Sequence, residues 1–230
     1  QCAQLQDRES DRWLLGVQQA EHSLGQAGVI HVMDREGDSY ALYAQLLQRG
    51  SRFVIRADDR TCLFEGENTR IREALSRCQT VVERTVNIAR RKNATTAPDA
   101  VRMDREARVA KLAIAGCSVT LKRTKYLKDP IAPTITLHAV RVFELEPPPA
   151  FEPVEWLILT TEPIETAQQL QRVVDIYRCR WVIEDFFKAL KTGCIYEQRH
   201  LEERASLLMA LVLFLPVACQ VLWLRSRAQL

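Results

Sequence analysis

The order of apolar runs between residues 29 and 56 constrains the fold more than any other feature of the chain. Residues 29–33 (VIHVM) are apolar and β-branched, which predicts a buried strand. Tyr40–Arg49 carries leucines at helical spacing and stops at Gly50, and residues 52–56 predict a second strand. This order is typical of an α/β layer. Asp34 directly follows the first strand, so we expect it at the sheet edge where α/β proteins bind ligands.

The rest of the chain divides into a β-rich middle and a helical end. Residues 5–25 predict a helix with Trp13, Leu14 and Val17 on one face. Between residues 61 and 150 the apolar positions alternate with period two, which predicts a mostly antiparallel sheet over residues 80–88, 107–114, 118–122 and 134–143. Residues 90–99 predict a mobile loop, and three prolines at 147–149 a stiff linker. After a strand at 156–161, the pattern is helical from residue 164, with breaks near Gly193 and at Pro216.

Composition excludes several classes of protein. The chain has 230 residues of which 47% are hydrophobic, enough to bury a core. Its seven cysteines are scattered without a C-x-x-C pair and its four histidines are dispersed, so neither a disulfide framework nor a zinc site is supported, and a reducing cytoplasm is expected. The net charge is only +3, yet residues 84–128 hold twelve Lys/Arg against three acids. This basic segment suits phosphate binding, although a solvated strand region explains the charge almost as well.

The segment 176–193 is the most informative for chemistry. As one continuous helix it would carry a polar stripe, about a quarter of its circumference wide, formed by Tyr177, Arg180, Glu184, Lys188 and Lys191. Apolar residues would cover the opposite side as a core face. A solvated helix with a Glu184–Lys188 pair would explain only two of the five residues. The full stripe instead offers a carboxylate for a divalent cation between groups that bind phosphate oxygens.

Three blocks of sequence resemble one family. The spacing of Tyr177, Arg180, Glu184 and Lys191 is similar to the YREK motif of bacterial DDE transposases of the insertion-sequence-four family. The blocks HVMDREGDSYALYAQLLQRGSRFVIRA (residues 31–57), EWLILTTEPIETAQQLQRVVDIY (155–177) and IEDFFKALKTG (183–193) also resemble that family. Together they contain 61 of the 230 residues, and the compound match is more specific than any single motif.

The resemblance implies a fold and a domain organisation. It implies an α/β protein with a ribonuclease-H-like mixed sheet flanked by helices, interrupted by an inserted, mostly antiparallel β subdomain. Residues 1–60 would form the first part of the core, residues 61–150 the inserted basic subdomain, and residues 151–230 the second part with the glutamate helix. The N-terminal strands, including the one that bears the family's first aspartate, would be missing from this chain.

The resemblance also implies an activity. Asp34 and Glu184 match the second aspartate and the glutamate that, with the missing aspartate, hold two Mg²⁺ or Mn²⁺ ions for phosphodiester hydrolysis at transposon ends and strand transfer into target DNA. The chain alone would therefore bind metal weakly. A homodimer on DNA, in the cytoplasm and without a membrane, is implied by the same likeness.

DNA contacts follow residue by residue from the family. Tyr177, Arg180 and Lys191 match residues that contact phosphates, and Lys188 lies on the same stripe. Trp156 matches a tryptophan that receives a flipped base, and Arg56 an arginine near the DNA end. Taken alone, Trp156 is more often a core residue, Arg56 a solvated one, and Asp34 a helix cap.

Three alternatives stay open at this stage. The chain could be a non-catalytic DNA-binding remnant of a transposase, or another ribonuclease-H-like nuclease such as a resolvase. Residues 205–224 are long and apolar enough to suggest a membrane span, but we expect a helix buried against the sheet.

Overall fold

The computed structural model describes residues 9–25, 28–79, 81–88, 107–125, 127, 131–149, 151, 153–194 and 203–228. The chain forms two compact units, Gln1–Tyr177 and Arg178–Leu230, and each is described here by itself. The predicted loop at residues 90–99 lies outside the described residues.

The first unit is built on one sheet of eight described strands, with four helices. The strands are β1 (Ile30–Met33), β2 (Arg52–Ala57), β3 (Thr61–Phe64), β4 (Glu67–Arg70), β5 (Val82–Ile88), β6 (Arg108–Lys122), β7 (Thr134–Leu145) and β8 (Glu155–Thr160). The helices are α1 (Glu9–Leu24), α2 (Tyr40–Arg49), α3 (Ile71–Ser76) and α4 (Ala167–Arg178).

The sheet is mixed and open. Its order is β1-β2-β8-β7-β6-β3-β4, and β5 pairs with β6. Strands β1 and β2 run parallel, whereas the remaining pairs are antiparallel. Along one edge β6 pairs with β7, and along the other it pairs first with β5 and then with β3. A parallel pair requires a crossover, and α2 supplies it between β1 and β2.

Hydrophobic cores lie on both faces of this sheet. One contains residues of α1, α2 and α3, such as Val17, Leu46 and Ala74, packed on β2 and β7. The other contains Leu170 and Val173 of α4, packed on β6, β7 and β8. Helices cover both faces of β2. This explains why the apolar residues of β2 form a continuous run and do not alternate with polar ones.

Most predicted elements are confirmed, with three differences in the β-rich middle. The runs 107–114 and 118–122 form one strand, because the ladder to β7 continues through Gly116. A Cβ at Gly116 would lie 2.5 Å from Leu170 Cδ2, so the glycine lets α4 approach the sheet. The hairpin β3–β4 and helix α3 were not predicted, since their elements are only four to six residues long. Residues 61–150 contribute strands to the same sheet as β1, β2 and β8, and their status as an inserted subdomain stays a prediction.

The second unit contains α5 (Trp181–Lys188), a π-helical turn (Ala189–Gly193) and α6 (Arg204–Ala228). The continuous helix expected over residues 176–193 is therefore wrong: α4 ends at Arg178, and hydrogen bonds from Val182 N to Cys179 O and from Ile183 N to Arg180 O form a tight connection. The apolar side of α5 is not a core face either, since Trp181, Val182, Ile183 and Phe187 are exposed.

Two expectations about α6 are corrected. The helix continues through Pro216, where we expected a break. Proline lacks a backbone N–H, so one hydrogen bond is lost there, and a long apolar helix tolerates this local loss. The helix is also not buried, because only 11% of its most apolar window is covered, with Ala218 packed in a small cluster beside Leu190 and Cys194. By length and composition alone, Arg204–Arg225 is able to cross a membrane.

Candidate active site

Asp34 lies where the sequence places it, at the carboxyl end of β1. It caps the 3-10 turn Arg35–Gly37, and its Oδ1 accepts a hydrogen bond from Glu36 N at 3.0 Å. The turn packs closely behind it, since a Cβ at Gly37 would lie 2.8 Å from Met33 Cβ. The capping role weighed for Asp34 is thus present. An ionised carboxylate offers about four lone-pair sites, so capping by one oxygen is compatible with cation binding.

The carboxylate of the neighbouring Asp38 makes structural contacts. Its carboxylate accepts hydrogen bonds from Tyr43 Oη at 2.6 Å and from Asp58 N at 2.8 Å, and it pairs with Arg60 at 2.5 Å. Burial, followed by the charge of Asp38, raises the pKa of Tyr43 well above its usual value. This network fastens the start of α2 to the end of β2.

Three predicted DNA-binding residues gather at the edge of the sheet that bears Asp34. Met33 pairs with Ile55, so Asp34 and Arg56 follow matched positions of two parallel strands. Arg56 pairs in turn with Ile158, two residues from Trp156 on the same face of β8. The Trp156 ring meets that of Tyr177 edge to face, with centroids 5.4 Å apart. Trp156 is half-buried, whereas Tyr177 is only 2% exposed.

An arginine cluster beside Trp156 was missed by the sequence reasoning. Glu155 accepts hydrogen bonds from Arg141 Nε at 2.7 Å and from Arg72 Nε at 3.1 Å, while its carbonyl oxygen is 3.4 Å from a terminal nitrogen of Arg56. Arg141 also stacks on the Phe143 ring at 4.4 Å. The sequence offered only an arginine in the second half of β7, and its position carried no spacing that pointed to β8.

The second unit holds the remaining predicted residues. Arg180 donates to Glu184 Oε1 at 2.7 Å, so the partner of Glu184 is the arginine one turn before it and not Lys188. Glu184 and Lys188 are exposed on α5, and Lys191 is exposed in the π-helical turn. Asp185, the next residue, faces Arg225 of α6 at 3.5 Å.

The described residues contain no complete cation site. Among the described residues no group of three or more His, Cys, Asp or Glu side chains could hold a metal ion. Asp34 and Glu184 are hard oxygen donors of the kind that Mg²⁺ and Mn²⁺ prefer, yet they belong to different units. The described residues of either unit therefore do not form a complete site by themselves.

The fold and this edge define a class of protein. An α/β fold with a mixed open sheet flanked by helices, and a carboxylate beside basic and aromatic side chains, is consistent with a ribonuclease-H-like DDE domain. The family model described as "Transposase DDE domain" matches residues 13–215, and the chain belongs to this family. Membership implies a transposase-type enzyme whose substrate is DNA, and such enzymes generally use divalent metal ions.

Proposed function

We propose that the chain is the catalytic part of a cut-and-paste transposase of the insertion-sequence-four type. Its reaction is hydrolysis of a phosphodiester bond at each transposon end, followed by strand transfer into target DNA. The family match over residues 13–215 carries this proposal. The positions of Asp34, Arg56 and Trp156 at one sheet edge support it, because a carboxylate can hold a metal ion, an arginine can bind a phosphate and an aromatic ring can stack on a base.

In this proposal Asp34 and Glu184 are the metal ligands. Two Mg²⁺ or Mn²⁺ ions would supply stabilisation of the attacking and leaving oxygens. A third carboxylate completes the set, and the family resemblance assigns it to a strand before α1. In the described chain β1 pairs only with β2, so its other edge can receive such a strand.

The basic and aromatic residues would hold the DNA. Arg180, Lys188 and Lys191 place positive charge along α5 and the π-helical turn, where they would contact phosphates. Trp156 offers a half-buried ring for a base taken out of the stack, and Tyr177 supports that ring from beneath. Arg56 would bind a phosphate beside them. The working protein in this proposal is a homodimer on paired DNA ends in the cytoplasm, with no membrane attachment.

Metal titration of the chain tests the ligand assignment. We expect weak, millimolar-range binding of Mn²⁺ that falls at least severalfold in Glu184→Gln and in Asp34→Asn. Asp185→Asn is the matched control, since it removes a neighbouring carboxylate of the same helix and should leave the affinity unchanged. Equal affinity in the wild type and Glu184→Gln would remove Glu184 from the site. DNA binding that persists without any response to Mn²⁺ would instead indicate a non-catalytic DNA-binding remnant.

A further inference from the structure

The carboxylate of Glu155 joins two arginines on the face of the sheet that α3 covers. Glu155 shares this face of β8 with Leu157, which is buried in the hydrophobic cluster formed with α1, α2 and α3. Arg141 of β7 donates from Nε to Glu155 Oε1 at 2.7 Å, and Arg72 of α3 donates from Nε to the same oxygen at 3.1 Å. A terminal nitrogen of Arg72 also lies 2.9 Å from Glu155 Oε2. The two guanidinium groups therefore lie side by side at the start of β8.

Arg141 is fixed at its Nε atom and along its flat face, but not at its terminal nitrogens. The carbon at the centre of its guanidinium lies 4.4 Å from the centre of the Phe143 ring, and its side chain is only 19% exposed. Within the described part of the chain, its two terminal nitrogens have no hydrogen-bond acceptor. These nitrogens form a fork that matches two oxygens of a phosphate group. Because the side chain is already held in place, it loses little conformational freedom when an anion binds.

The charges around Glu155 do not balance. Asp59 lies 3.7 Å from Arg70 and 3.6 Å from Arg72, so the cluster contains three arginines and only two carboxylates. One positive charge is left over at a place where the side chains of Asp59, Glu155 and Arg141 are each at most 25% exposed. A charge that is partly removed from water is unfavourable without a partner. Each phosphodiester of DNA carries one negative charge, so a single backbone phosphate would neutralise the cluster.

We propose that Arg141 and Arg72 form a binding site for a phosphodiester of the DNA backbone, on the opposite face of β8 from Trp156. This site rests on the proposed function, because it requires a DNA end at the start of β8. Trp156 packs against the cluster formed with α4, whereas Glu155, one residue earlier, points to the face covered by α3. The start of β8 thus contacts DNA on both faces of the sheet. The terminal nitrogens of Arg141 donate to the phosphate, and Arg72 adds a second guanidinium.

The salt dependence of DNA binding tests this site. The full chain is titrated with a fluorescently labelled, blunt-ended duplex of mixed sequence, and the logarithm of the association constant is plotted against the logarithm of the salt concentration. Loss of one phosphate contact makes this slope shallower by about 0.9. We expect that change, together with weaker binding at low salt, in Arg141→Gln. Arg84→Gln is the matched control, because Arg84 is bound to Asp175 at 2.6 Å, and it should leave the slope unchanged.

Glu155→Gln separates a phosphate site from a purely structural ion pair. This variant keeps the size of the side chain but removes the carboxylate that competes for both arginines, so DNA affinity should rise severalfold. A loss of stability without any gain in DNA affinity would overturn the proposal.

Two further variants keep the test decisive. Arg72→Gln changes a side chain that is 50% exposed, and it should make the slope shallower even where Arg141→Gln folds poorly. If the wild type binds the duplex and Trp156→Ala weakens that binding, an unchanged slope in Arg141→Gln and Arg72→Gln would refute the phosphate site alone. Absence of any DNA binding by the wild type would refute the proposed function as well.

Discussion

Arg180 holds Glu184 in an ion pair of 2.7 Å across one turn at the start of α5. The same guanidinium lies 5.1 Å from the centre of the Trp181 ring. One proposed DNA contact is therefore bound to the proposed catalytic carboxylate. A cation that binds Glu184 would replace Arg180, and a phosphate that binds Arg180 would replace Glu184. Each binding event would release the other residue, so the two should assist each other.

Substitution of Arg180 tests this exchange. In Arg180→Ala the competing guanidinium is gone, and Mn²⁺ affinity at Glu184 should rise, by no more than about fivefold because partly exposed ion pairs contribute at most about 1 kcal/mol. DNA retention should fall in the same variant. Isothermal titration and electrophoretic mobility measure the two effects. Arg225→Ala, which removes the partner of Asp185, is the control, and identical behaviour of both variants would contradict the exchange.

Tyr177 should matter to stability through its ring. It is 2% exposed and packs edge to face on Trp156, so Tyr177→Ala should lower the free energy of unfolding by about 3–5 kcal/mol. Tyr177→Phe keeps the ring and should cost less than about 1.5 kcal/mol, with DNA affinity retained. Urea denaturation of the two variants measures the difference. A loss of DNA affinity in a fully stable Tyr177→Phe would mean that the hydroxyl group itself contacts DNA.

The buried phenol of Tyr43 should make the fold sensitive to alkali. Its pKa is raised mainly by burial and then by Asp38, so the neutral phenol is favoured in the folded state. Stability from this group is fully present below pH 10.0, the usual pKa, and is lost as pH rises toward the folded-state pKa. Urea midpoints from pH 8 to 11 should fall less steeply in Tyr43→Phe. Parallel pH profiles for wild type and variant would show that Tyr43 has no such role.

Glu21 should respond in the opposite direction. Burial raises its pKa, but hydrogen bonds from Ser51, Arg49 and His31 outweigh burial and lower the pKa below the usual 4.5. Its contribution is present above pH 4.5 and is lost as pH falls through the folded-state pKa. At neutral pH, Glu21→Gln should cost about 3 kcal/mol in urea denaturation, because buried donors lose a charged partner. Glu83→Gln on the exposed side of β5 should cost under about 0.5 kcal/mol.

The elements predictable from the sequence are those whose burial leaves a clear pattern. β1, α2 and β2 were predicted within one residue at each end, because apolar runs mark the strands and Gly50, in a left-handed conformation with φ 70°, ends the helix. The hairpin β3–β4 has strands of only four residues, too short for a period to be recognised. Pairing across long separations, such as β2 with β8, leaves no local trace at all.

The sequence predicted where Asp34 lies in the fold, but not how the other candidate residues are arranged. Asp34 was identified because it follows a buried strand, yet its capping bond to Glu36 could only be offered as an alternative. The predicted polar stripe does not lie on one helix, because the helix breaks after Arg178. This break was not predicted, since it carries neither glycine nor proline. Tyr177 consequently belongs to α4 and its core, while Arg180 and Glu184 belong to the next element.

The π-helical turn at Ala189–Gly193 affects how this region tolerates changes in length. Cys194 N bonds to Ala189 O at 3.1 Å, five residues back, so the turn accommodates one more residue than a regular α-helical turn. A single-residue deletion here can tighten the turn to α-helical geometry while the orientation of Glu184 upstream stays unchanged. Homologues that are one residue shorter in this region should therefore carry the gap between Lys188 and Cys194, where it would leave the structure of the proposed catalytic helix unchanged.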